Sequence, residues 1–235
     1  NSYINPIITD GLVLALDAGL VPSYPRNETT WYDLSGEGNN ATLVDGPTFN
    51  SLGAIDFDGS NYGTADSVTS DLVSSDFTFM ASIKGGTQNH KSILCINTSD
   101  GNNRVLWMVF NAGMGVNDNG TWYYGTIDVD DDEWHNVVLT YNFTTKNAKI
   151  YTDGVENLNV TTGNQIGIQS SDLASIAMEW DSGTPGDFFN GKIAQVQVYD
   201  RELTENEILQ NYYQAPIVTD DLILALDPGN LVSYE

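Results

Sequence analysis

The stretch Pro6-Ile-Ile-Thr-Asp-Gly-Leu-Val-Leu-Ala-Leu-Asp-Ala-Gly-Leu-Val-Pro-Ser-Tyr24 returns 210 residues later as Pro216-Ile-Val-Thr-Asp-Asp-Leu-Ile-Leu-Ala-Leu-Asp-Pro-Gly-Asn-Leu-Val-Ser-Tyr234. That period is far longer than a stacked solenoid unit and suits one whole β domain. With the same offset, Asn1-Ser2-Tyr3 falls on Asn211-Tyr212-Tyr213. The expectation is therefore one complete domain over residues 6–212. Residues 1–5 are read as the end of a preceding repeat or linker, 213–220 as a linker, and 221–235 as the start of a second repeat.

A unit of this length can bury one sizeable core. Eight basic against 32 acidic residues give a net charge of −24, which opposes any polyanion and excludes nucleic acid and anionic membranes as partners. The sequence carries no run of ~18 apolar residues, so no membrane insertion is expected. Cys95 is the only cysteine, which rules out an internal disulfide and suits a small buried hydrophobe.

Gly, Asn, Thr, Ser and Asp are frequent, as in short strands joined by tight turns. Gly11 to Asp17 reads as an opening strand whose unbroken apolar run implies burial on both faces. Ala54 to Asp58 and Tyr62 to Ala65 flank Gly59-Ser60-Asn61, a hairpin signal. Phe77, Phe79, Ala81 and Ile83 alternate with Thr78, Met80, Ser82 and Lys84, the period of a strand with one face on a core. Further strands are expected over Ser92 to Ile96, Arg104 to Phe110, Thr121 to Gly125, Trp134 to Tyr141 and Ala148 to Thr152. The last, within Phe188 to Tyr199, places Ala194, Val196 and Val198 on one face and Gln195, Gln197 and Tyr199 on the other. Thr204-Glu-Asn-Glu207 is a capping box, with Leu203 positioned to staple onto Ile208; Ile208, Leu209 and Tyr212 give the helix its apolar stripe. The fold class that follows is all-β, an antiparallel two-sheet sandwich with one short C-terminal helix.

Five segments stand in a recognisable order: Gly11-Leu-Val-Leu-Ala-Leu-Asp17; Trp31-Tyr-Asp-Leu-Ser-Gly-Glu-Gly-Asn-Asn-Ala-Thr42; Ile55-Asp-Phe-Asp-Gly59; Trp134-His-Asn-Val-Val138 with Tyr151-Thr-Asp-Gly154; and Phe189-Asn-Gly-Lys-Ile-Ala-Gln195 running into Tyr199-Asp-Arg-Glu-Leu-Thr204. This order resembles the laminin G-like, concanavalin A-like lectin/glucanase superfamily, in the version found in tandem in phage and bacterial surface proteins. The resemblance implies a jelly-roll sandwich acting as a non-enzymatic structural or adhesion module. It points to a fibre or decoration protein on a virion surface, with carbohydrate binding within its scope. Its partners would be other virion or surface proteins, a cell-surface glycan, and further copies in a homo-oligomer. A lectin-like adhesin of the bacterial cell surface is the alternative, and a glycoside hydrolase the third reading, because this fold hosts all of them.

Several residues are candidates for chemistry. Asp33, Ser35 and Asn39 offer hard oxygen ligands in a Gly-rich loop, and the resemblance adds that laminin G-like domains often hold one calcium at a loop edge; Asp33 and Asn39 are the candidate Ca2+ ligands, against a turn-forming role for Asp33. Asp128, Asp130, Asp132 and Glu133 crowd one turn without the Gly and Glu of an EF-hand, which leaves a solvated turn or an irregular calcium site. Glu179 and Asp181 share a strand face roughly 7 Å apart. Related glycosidases add a third acid on that strand where this chain has Thr184, so no catalytic residue is assigned. His90 and His135 have no metal-ligand spacing. The six Asn-x-Ser/Thr sequons match what an Asn-, Ser- and Thr-rich chain holds by chance. Trp122, Tyr123 and Tyr124 are the candidate ligand-binding residues, with core packing as the alternative. Alternation sends Tyr123 to the face opposite its neighbours, and an aromatic beside Asn and Asp suits a sugar.

Overall fold

The computed structural model describes residues 7–26, 28–98, 100 and 102–214. Residues 1–6 and 215–235 lie outside it, and with them the expected preceding repeat, most of the linker and the second repeat. Tyr213 and Gln214, read as linker, are instead the last two residues of the C-terminal helix.

Eighteen strands are present among the described residues: β1 Leu12–Asp17, β2 Thr30–Trp31, β3 Ala41–Val44, β4 Thr48–Asn50, β5 Ala54–Asp58, β6 Tyr62–Thr64, β7 Phe77–Gly85, β8 Lys91–Asn97, β9 Asn103–Phe110, β10 Gly113–Asn117, β11 Trp122–Tyr124, β12 Trp134–Asn142, β13 Asn147–Thr152, β14 Val155–Thr161, β15 Leu173–Ile176, β16 Glu179–Asp181, β17 Thr184–Gly186 and β18 Asn190–Tyr199. They form two eight-stranded antiparallel sheets and a small hairpin. The first sheet runs β14-β13-β12-β7-β18-β5-β4, with β1 also on β18; the second runs β11-β10-β9-β8-β15-β6-β3-β2; β16 and β17 pair alone. This is the expected jelly-roll sandwich.

The core lies between the sheets and follows from strand alternation. Phe77, Phe79, Ala81 and Ile83 point inward from β7, Trp107 and its neighbours Val105 and Val109 from β9. Phe77 stacks on Phe79 at 4.6 Å and on Tyr141 at 5.2 Å between ring centroids. Each large side chain removed from water here contributes about 1.5–3 kcal/mol. As its unbroken apolar run requires, β1 is buried on both faces: Val13, Leu14 and Leu16 join the main core, while Leu12 and Ala15 join a second cluster on the outer side of the first sheet.

Two expectations change. Gly59-Ser60-Asn61 is a turn but not a hairpin, because β5 pairs in the first sheet and β6 in the second. Asn61 Oδ1 accepts the Asp58 N–H at 3.2 Å, and Gly59 takes φ +85°. The chain thus turns a corner between sheets where a hairpin ladder would continue. In β18 a bulge between Ile193 and Gln195 leaves Ala194 as the extra residue, so Ile193, Val196 and Val198 face the core, not Ala194.

The helix α1, Glu205–Gln214, covers that second cluster. Its capping box forms as the sequence requires: Thr204 N donates to Glu207 Oε2 at 2.8 Å, and Glu207 N to Thr204 Oγ1 at 3.4 Å. Leu203 and Ile208 are buried together with Met80, Val138, Tyr151 and Tyr199. The buried helix face also carries a polar residue, Asn211, whose Nδ2 donates to the Tyr199 hydroxyl at 2.8 Å while its Oδ1 accepts from Ile8 N at 2.8 Å. Asn211 therefore ties helix, sheet and the start of the described chain together.

Candidate functional site

On the outer side of the second sheet, strand alternation assembles a group of rings. Trp122 and Tyr124 project outward from β11, and Phe110 from the end of β9. Phe110 stacks on Trp122 with centroids 4.4 Å apart and planes 17° apart, and lies 5.4 Å from Tyr124. His90 meets Phe110 edge-on at 4.4 Å and Trp122 at 5.8 Å. The rings pass across Gly115 of β10, where a Cβ would fall 2.9 Å from Phe110 Cβ and 3.5 Å from the Trp122 ring, so this position requires glycine. Trp122 is half-buried against Cys95, Leu106 and Met108, whereas Tyr124 is 47% exposed. Burial pushes the Cys95 thiol up to about 12, which makes it inert packing.

Tyr123 does not belong to this platform. It packs against the inner core, and its hydroxyl accepts from Gly163 N at 2.8 Å. Sequence reasoning missed Phe110 and His90, which join only through sheet pairing. At the turn end of the same β10–β11 hairpin a cleft of about 330 Å³ opens among Asn103, Arg104, Asp118, Asn119, Asn164 and Gln165. Arg104 Nε is paired with Asp172 at 3.0 Å, and Asp118 is fixed by Thr121 N and Asn164 N. Flat ring surface suits the apolar face of a ligand, and amides that both donate and accept suit its hydroxyls.

In the loop with the candidate calcium ligands the Asp33 carboxylate is engaged by the protein itself. Asp33 Oδ1 accepts from Ala15 N and Ser35 N, and Oδ2 from Ser35 Oγ, Gly38 N and Asn39 N, all at 2.6–3.0 Å. Asn39 Nδ2 donates to Val13 O and Asp71 Oδ2. The Asp33 carboxylate is thus filled by protein donors and organises the loop around β1, in the turn-forming role. In the other acidic turn, Asp128 accepts from Asp130 N, Asp130 from Gln88 N, and Asp131 from Glu133 N. His135 sits between Asp153, 2.8 Å from Nδ1, and Asp131, 3.1 Å from Nε2. The Asp153 hydrogen bond, helped by Asp131 and opposed by burial, raises its pKa to about 9. Among the described residues no group of three or more His, Cys, Asp or Glu side chains is arranged to hold a metal.

The family model of the concanavalin A-like lectin/glucanases superfamily matches residues 57–209, well over half of the chain. The chain belongs to that superfamily. No curated protein matches it. Among solved structures it is similar to domain 4 of AbnA, an extracellular arabinanase of family GH43 from Geobacillus stearothermophilus (TM-score 0.63, 16% identity, 84% of this chain and 96% of that one). It is also similar to a botulinum neurotoxin type C structure (TM-score 0.65, 15% identity, 88% and 52%) and to Trypanosoma rangeli sialidase (TM-score 0.61, 18% identity, 89% and 34%). The chain therefore spans nearly all of the arabinanase domain, about half of the neurotoxin chain and about a third of the sialidase. At these identities the likeness is one of fold.

The superfamily's name covers both lectins and glucanases, and three carboxylates bear on that division. The β16–β17 hairpin lies against the second sheet, where Asn97 Nδ2 reaches Trp180 O at 3.1 Å and Glu179 Oε2 at 3.5 Å. Glu179 is buried, and burial, then Asp187, raises its pKa. Thr184, where a third acid was sought, pairs with Asp181 across the hairpin, and the third carboxylate comes from Asp187 just beyond β17. Its pKa is also raised by burial, with Lys91 and His90 pulling it down. A hairpin read at Asp181-Ser-Gly-Thr184 would have placed Asp187 beside Glu179 in advance. These three acids thus lie together around one hairpin at the second sheet.

Proposed function

We propose that this superfamily member is a non-catalytic, glycan-binding module, carried as one of a series of like sandwiches on the outside of a phage particle as a fibre or decoration protein. The observation that carries the glycan reading is the stacked Phe110–Trp122–Tyr124 platform, on the same β10–β11 hairpin whose turn end borders the amide-lined cleft. Two proteins of similar fold support it: the arabinanase domain was solved in complex with arabinotriose, and the neurotoxin structure concerns cell entry through two ganglioside molecules. The exterior location is supported by the recurrence of Pro6–Tyr24 at Pro216–Tyr234, since tandem sites turn weak contacts into avidity. A net charge of −24 keeps such repeats soluble and apart from nucleic acid. A bacterial surface adhesin with the same repeat would use the site in the same way. Mass spectrometry of purified particles against cell envelopes chooses between the two.

A glycan array probed with the chain and with Trp122→Ala tests the site. The expected result is a set of hits that weaken by about tenfold or more in the variant, which remains folded. An array that the variant reads as well as the parent chain would overturn the platform. Polysaccharide turnover that disappears in Glu179→Gln would overturn the non-catalytic reading.

A further inference from the structure

Lys84 of β7 and Lys192 of β18 stand directly opposite each other on the outer side of the first sheet, away from the aromatic platform. Like charges in that position destabilise a sheet, and this chain has excess acid with which to neutralise them. It does so elsewhere: Arg104, Lys149 and Arg201 each lie within 3.1 Å of a carboxylate oxygen. Among the described residues the side chain of neither Lys84 nor Lys192 has a carboxylate in ion-pair range or a hydrogen-bond partner, whereas their backbones stay in the sheet ladder. Asp56, opposite Lys192 on its other side, makes no ion pair with it. Both lysines instead line a cleft of about 390 Å³, a volume at the lower end of small-molecule sites.

The charges around this cleft restrict its occupant. Asp56, Asp58 and Asp132 line it as well, and with the −24 net charge they disfavour a polyanion. A single carboxylate with hydroxyl donors satisfies both sets of groups: two ammoniums for the carboxylate, and aspartate oxygens for the hydroxyls. The open glycine backbone helps, since a Cβ at Gly86 or Gly46 would meet nothing within 4 Å. We propose that the Lys84–Lys192 cleft is a second binding site, selective for a sugar acid such as a uronic acid unit of a glycan. With it, the module would hold ligands on both sides of the sandwich.

Isothermal titration of the whole chain with D-glucuronate, D-glucose and inorganic sulfate tests this. Glucuronate is expected to bind saturably, more weakly in high salt, with glucose and sulfate at least about tenfold weaker. Lys84→Ala and Lys192→Ala should each lower the affinity by about tenfold or more, and Gly86→Phe, which enters open space, should block the cleft without unfolding the sheet. Trp122→Ala should leave glucuronate binding unchanged, which separates this site from the platform. Absence of saturable glucuronate binding, sulfate or glucose binding as tightly, or affinity unaltered in the lysine variants would overturn the proposal.

Discussion

On the outer side of the first sheet Met80, Val138, Tyr151 and Tyr199 lie beneath Ile208 of α1, while on the outer side of the second Cys95, Leu106 and Met108 lie beneath Trp122 and the neighbouring Tyr124 stands 47% exposed. Both rows come from the same strand alternation. The first is a second core because the chain supplies a helix with a capping box, a Leu203–Ile208 staple and the Asn211–Tyr199–Ile8 tie to cover it. Among the described residues the second ends in rings that only other rings cover. An outward apolar row thus serves stability where a later described element returns to it and stays partly exposed where none does.

The largest effect that could break this contrast comes from removing the helix's central contact. Ile208→Ala takes a fully buried side chain from the second cluster and should cost about 2–4 kcal/mol. In a domain of this size the melting temperature would fall by roughly 5–12 °C. Glycan binding, measured below the transition, should not change. If it weakens in step with stability, the two faces are coupled and the division fails.

Acid should loosen one face and spare the other. The Arg201 guanidinium, bidentate at 2.7 and 3.0 Å, together with Thr204, lowers the Glu207 pKa to about 2 from an ordinary value near 4.5. A folded pKa below the unfolded one means stability that is fully present above about pH 4.5 and lost as pH falls through about 2. Both partners are about a quarter exposed, so the contribution is on the order of 1 kcal/mol. Between pH 5 and pH 2.5 the parent chain should lose more melting temperature than Glu207→Gln, whose amide oxygen keeps the capping acceptor. Equal losses would show that the clamp does not hold the helix to its sheet.

Much of this was legible in the residues, and what was not has a physical cause. The double-sided burial of β1, the inward face of β7 and the capping box are local patterns, and each formed as read. The turn at Gly59 was equally visible, but its destination was not: a turn signal specifies a reversal, and the pairing of β6 with β3 and β15, distant in sequence, is what places it in the other sheet. At the site, alternation alone separated Trp122 and Tyr124 from Tyr123. Phe110 and His90 could not be placed with them without the β9–β10–β11 register, nor Asp187 beside Glu179 without the β16–β17 hairpin. Asp33 was singled out because a carboxylate in a Gly-rich loop attracts either a cation or backbone N–H groups. The choice depended on where Ala15, Gly38 and Asn39 aim their donors, which only the folded loop fixes.

The smallest stability effect is also the sharpest test of what separates the two faces. Tyr124 lies at the open end of the platform, with one ring neighbour, Phe110, 5.4 Å away, and nearly half of its surface in water. Removing it should therefore change stability by no more than about 0.5 kcal/mol, as for an ordinary surface position. If the platform exists to meet a ligand, Tyr124→Ser should still weaken glycan binding several-fold, because stacking area lost from the platform is lost mainly from the complex. Chemical denaturation and glycan titration on the same preparation separate the two quantities. A variant that melts early and binds normally would mean that Tyr124 serves the fold, and the second sheet's outer row would then be core like the first.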